Sequence, residues 1–107
     1  METLVEVAGA LSEAHRIRAL GMLVSGELCL CDLTAGLGLS ASTVSNHMAV
    51  LKRAGLVESR KDGRWMHFRL PDAQEAGPAA TSAVRWILDH LPETAKARPS
   101  GAGGCEP

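Results

Sequence analysis

One stretch of this chain, Leu56 to Leu70, is written with a period of two, and it interrupts a sequence that otherwise repeats at helical spacing. Met66, Phe68 and Leu70 alternate with Trp65, His67 and Arg69, and Lys61-Asp62-Gly63 separates Leu56–Arg60 from Arg64–Leu70. Asp-Gly between two such runs predicts a β-hairpin. Whatever this chain folds into must therefore place one hairpin late among helices.

The helical parts follow from their apolar stripes. Leu4, Val7, Ala8 and Leu11 mark a helix over 3–12, and Ile17, Leu20 and Val24 mark a second over 15–25. Glu27–Gly36 is a short third piece with Leu30 and Leu33 inward, closed by Gly36-Leu37-Gly38. Ser40 is a fitting N-cap for a fourth helix that carries Val44, Met48 and Leu51 and stops at Gly55. After a polar stretch at 72–77, Pro78 opens a last helix with Val84, Ile87, Leu88 and Leu91 inward. Helix, helix, short helix, helix, hairpin, helix is the order of a winged helix-turn-helix, mainly α with a small β-hairpin. The whole chain has 107 residues, enough for one domain that buries roughly two-thirds of its unfolded surface. The domain is expected over 1–91. Residues 92–107 hold Pro, Gly, Ala, Ser, Thr and scattered charges, and are expected to form a disordered tail. No apolar run approaches the ~20 residues of a membrane span, and no leader pattern opens the chain. No membrane partner is expected.

In a helix-turn-helix the second helix enters the major groove, so it needs one apolar face and one small, polar face. The fourth helix has both, with Ser42, Thr43, Ser45 and Asn46 outward and Arg53 at its end. The net charge of −1 hides a local excess: Lys52 to Arg69 holds six Lys or Arg against two acids. A positive hairpin beside a polar helix fits phosphate binding, with Lys61 and Arg64 at the wing tip, although a solvated basic surface would read the same way. His47 reads either as an interhelical or capping histidine or as a further base contact. Trp65 is expected to be partly buried against the wing.

Several segments in order resemble the ArsR/SmtB repressors. Leu11-Ser-Glu-Ala-His-Arg16-Ile-Arg-Ala-Leu20 is similar to their opening helices, with Ala14 where proline is usual. Leu39-Ser-Ala-Ser-Thr-Val-Ser45-Asn-His47-Met-Ala-Val-Leu51-Lys-Arg-Ala-Gly55-Leu-Val57 resembles their recognition helix and the start of the wing, and Arg60–Leu70 resembles the wing itself. The resemblance covers about 4–91. It implies a bacterial, cytoplasmic homodimer, joined through its first and last helices, that binds double-stranded operator DNA and is released by a metal or metalloid.

Glu27-Leu-Cys29-Leu-Cys31-Asp32-Leu33 resembles the sensing motif of the arsenical branch of that family. Cysteine thiolates are soft ligands, and a position at a helix start is expected to lower a thiol pKa. The resemblance implies trivalent arsenic or antimony as inducer, as arsenite or methylarsenite, held by three sulfurs in the inorganic case. The family's frequent third cysteine is Thr34 here, which leaves Cys105 in the tail as the remaining thiol. Residues two apart do not share a face of a regular helix, so one ion held by Cys29 and Cys31 is expected to distort the helix's first turn. The alternatives are two small core cysteines, a redox-sensing repressor, a winged helix used only for protein contacts, or a small thiol oxidoreductase. An enzyme is not expected, nor a catalytic cofactor: Cys-x-Cys is not Cys-x-x-Cys, and no βαβ pattern surrounds it.

Overall fold

The computed structural model describes residues 1–96. Its helices are α1 (Glu2–Ala10), α2 (Ala14–Met22), α3 (Leu30–Leu37), α4 (Ala41–Arg53), the single turn α5 (Ala73–Ala76) and α6 (Pro78–His90). Three strands, β1 (Leu28–Cys29), β2 (Glu58–Asp62) and β3 (Trp65–Arg69), form an antiparallel sheet in the order β1-β3-β2. The architecture is the expected winged helix-turn-helix, with a third strand that the hairpin pattern did not contain. A two-residue strand is too short to carry a period.

Local chemistry explains most boundaries. Ser40 Oγ accepts a hydrogen bond from Thr43 N at 3.2 Å and so caps α4, which ends before Gly55 at φ +80°. Asp62 pairs with Trp65, leaving a two-residue loop. Gly63 takes φ +62° at its first position, the left-handed backbone a II′ hairpin turn requires there. α2 tightens into a 3-10 turn at Leu23–Ser25, which rotates each residue further per step. That is why Val24, expected inward, is exposed.

α1, α2, α3, α4 and α6 enclose a core of Leu20, Leu28, Leu33, Val44, Met48, Leu51 and Leu56, all fully buried. Phe68 is the buried aromatic of the sheet, facing Leu28 across the β1–β3 ladder. The described chain continues past the expected boundary at residue 91. Glu93–Lys96 forms a 3-10 turn packed against α2, so close that a Cβ on Gly21 would collide with the Ala95 carbonyl oxygen. The rest of the expected tail, 97–107, lies outside the described residues.

Candidate functional site

Cys29 is the last residue of β1 and the N-cap of α3, with extended backbone at φ −81°, ψ 163°. The backbone N–H of Asp32 donates to its Sγ at 3.3 Å, and the Asp32 carboxylate accepts from the Cys29 N–H at 3.3 Å. This is a capping box with sulfur in the place usually taken by a hydroxyl. Cys31 is the second residue of α3 and half-buried, beside a 440 Å³ cavity lined in part by Leu30, Thr34, Trp65 and Met66.

The pair straddles the helix boundary, with Cys29 as the N-cap and Cys31 as the second residue of α3. The geometry corrects the expectation that the helix start lowers the thiol pKa, because burial prevails over it. With the residue 7% exposed, desolvation pushes the Cys29 thiol above its ordinary value, outweighing the backbone N–H of Asp32.

The sheet also connects this site to the wing. Cys29 pairs with His67, which pairs in turn with Arg60, so the three lie in one row across the sheet. On the same face, the Glu27 carboxylate accepts from Arg60 Nε at 3.0 Å and from a terminal nitrogen at 2.7 Å. His67 Nδ1 stands 3.8 Å from Glu27 as well. The guanidinium beside Glu27 holds its carboxyl below the usual range. Only the pairing register, not spacing in the chain, reveals this clamp.

On α4, Ser42, Thr43, Ser45, Asn46 and Arg53 are exposed, as expected for an outward polar face. Thr43 Oγ1 accepts from Ser40 Oγ at 2.8 Å. His47 turns the other way. Its ring is half-buried against α2, with Nδ1 3.2 Å from an Arg16 nitrogen and Nε2 3.8 Å from Glu13. On the wing, Lys61 and Arg64 are exposed, whereas Arg60 is held by Glu27 and Arg69 by Glu58 at 2.6 Å. The positive field is thus narrower than the count of basic residues suggested. Trp65 is half-buried, as expected, and Cys105 lies outside the described residues.

Residues 14–59 match a family model described as bacterial regulatory protein, arsR family. The chain is similar to the arsenical resistance operon repressor of Escherichia coli strain K12, 49% identical over 45 residues, which are 42% of this chain and 38% of that one. It is 32% identical over 93 residues to a transcriptional repressor SmtB homolog of Synechocystis, covering 87% of this chain and 67% of the relative. A solved homodimeric winged helix-turn-helix DNA-binding domain from Mycobacterium bovis, a possible ArsR-family regulator, superposes with a TM-score of 0.68 at 25% identity. That superposition covers 82% of this chain and 77% of the other.

Proposed function

The chain belongs to the arsR family of bacterial regulatory proteins, which are DNA-binding transcriptional regulators and not enzymes; from that premise we propose a repressor that leaves its operator when Cys29 and Cys31 bind trivalent arsenic or antimony. The observation that carries this reading is the sulfur cap of α3. Cys29 Sγ holds the N-terminus of the helix that packs on α4, and its strand pairs with the wing. A metalloid on that sulfur takes the lone pair the cap bond uses and acts on both DNA-facing elements at once. Bound metalloid and bound DNA then favour different conformations, as reciprocal coupling requires.

The chemistry of the inducer fits the buried thiol. Neutral arsenic hydroxide exchanges hydroxyl for thiol with loss of water and no net release of protons. Cadmium or zinc must drive the proton off each thiol, which the raised pKa of Cys29 opposes. Names of relatives support the same class, an arsenical resistance repressor among them. For inorganic arsenite, Cys105 is the proposed third sulfur; a methylated arsenical needs only Cys29 and Cys31.

On the DNA side, Ser42, Thr43, Ser45 and Asn46 are assigned to base edges and neighbouring phosphates, and Arg53, Lys61 and Arg64 to phosphates. His47 is assigned to holding α4 in place. Leu4 and Val5 on α1 and Trp86 on α6 are exposed apolar residues, which supports a homodimer through these two helices. The test is an operator-binding titration under reducing conditions with arsenite, antimonite, cadmium and zinc in turn. Release by the first two and not by the last two is expected. Operator binding indifferent to arsenite and antimonite overturns the reading.

A further inference from the structure

Where α2 begins beside α4, three metal-ligating side chains converge. Glu13, His15 and His47 each offer a ligand atom, and these atoms lie within 4.8 Å of one another, the one such group among the described residues. Glu13 is the N-cap of α2, and its Oε2 accepts from the backbone N–H groups of His15 at 2.7 Å and Arg16 at 3.2 Å. The carboxylate is thereby fixed before any ligand arrives. Its Oε1 lies 2.9 Å from His15 Nδ1, and its Oε2 lies 3.8 Å from His47 Nε2. The two imidazoles stack with centroids 6.0 Å apart and planes within 14°, so both edges face the same carboxylate.

We propose that Glu13, His15 and His47 form a binding site for a divalent transition-metal ion, zinc or cobalt in class, that ties the start of α2 to α4. The donor set decides the class. Two imidazole nitrogens and one carboxylate suit a borderline ion with nitrogen and oxygen ligands, and suit neither a thiophilic metalloid nor an ion that takes oxygen alone. Side-chain exposures of 34% for Glu13, 35% for His15 and 15% for His47 leave water able to fill the remaining coordination positions. The site shares no ligand with the cysteine pair and does not depend on it.

Arg16 sets the condition for loading. Its Nε donates to the Ala10 carbonyl at 2.8 Å and one terminal nitrogen to the Gly9 carbonyl at 3.3 Å, while the other lies 3.2 Å from His47 Nδ1. Arginine only donates, so Nδ1 accepts and the neutral ring carries its proton on Nε2. A metal at Nε2 moves that proton to Nδ1, and Arg16 releases His47 while keeping both carbonyls. Loading therefore replaces a hydrogen bond between α2 and α4 with a coordinate link between the same helices.

The test uses the full chain with Cys29→Ser, Cys31→Ser and Cys105→Ser combined, which removes every thiol. Cobalt is titrated by visible absorption, and zinc by competition. One equivalent per chain is expected, with ligand-field bands and no sulfur-to-cobalt charge transfer. His15→Ala and His47→Ala should each weaken binding at least about tenfold. In the wild-type chain, zinc should shift the ring-proton resonances of His15 and His47, a readout independent of how the triple variant folds. Wild-type rings unmoved at millimolar zinc overturn the proposal, as does cobalt binding that neither histidine variant weakens. A failed response to arsenite leaves this site untouched, because no ligand is common to both.

Discussion

At Cys29 one sulfur atom serves as helix cap, strand residue and proposed ligand, and substitution separates these roles. Serine is a stronger N-cap than cysteine, so Cys29→Ser should keep the fold and operator affinity while abolishing release by arsenite. Cys29→Ala removes the cap acceptor as well and should cost about 1 kcal/mol in urea unfolding. Cys31→Ser should lose the arsenite response without a stability change of that size. Fluorescence anisotropy on operator DNA, with and without arsenite, reads all three variants; an arsenite response that survives in both serine variants removes the pair from the mechanism. The motif Glu27–Leu33 was legible as a candidate site through its resemblance to the sensing motif of the arsenical branch of the family. The sign of the Cys29 pKa shift was not legible. It depends on how much protein surrounds the sulfur, and burial is a sum over residues distant in the chain.

The wing shows how pairing edits a charge count. Lys61 and Arg64 are exposed, and among the described residues neither has an acid within ion-pair distance, whereas Arg60 and Arg69 already serve Glu27 and Glu58. Lys61→Gln or Arg64→Gln should lower affinity similarly across operator sequences and reduce the salt slope by about one unit each. Arg60→Gln and Arg69→Gln should change the slope less, because those charges are partly neutralised within the protein. Equal slopes for all four variants would return the field to the plain count of basic residues.

A contact between α5 and the sheet gives a pH dependence. The Glu58 carboxylate beside Glu75 on α5 raises the Glu75 pKa above its ordinary value of 4.5. A carboxyl whose folded pKa is raised stabilises the fold while protonated, and that contribution is lost as pH rises through the folded pKa. Glu75→Gln keeps a donor toward Glu58 at every pH. It should raise the melting temperature at pH 7 and leave it unchanged near pH 4, as thermal melts at the two pH values would show; a gain that is the same at both would exclude repulsion between the two carboxylates as its cause.

Across the whole molecule, Leu4 and Val5 on α1 and Trp86 on α6 are 59%, 63% and 60% exposed, on two helices that pack against each other. Removing such side chains from water is worth roughly 25 cal/mol per Å² of apolar area, which makes a second copy of this surface the natural cover. Leu4→Glu with Trp86→Glu should give a monomer by sedimentation with unchanged far-UV circular dichroism and much weaker operator binding. A dimer that persists in that variant would place the interface elsewhere. The order of the five longer helices and the hairpin, the helix caps at Ser40 and Gly55, the place of Gly63 in the hairpin loop and the exposed polar face of α4 were all determined by the sequence itself, since each rests on backbone preference or on periodicity within one segment. Tertiary structure alone decided that β1 joins the wing, that Glu27 takes Arg60, that His47 faces Glu13 instead of the outer surface, and that Glu93–Lys96 closes on Gly21. Each of these pairs groups from different segments, and such pairing is selected by which packing buries the core and satisfies its polar atoms together, a condition no local pattern encodes.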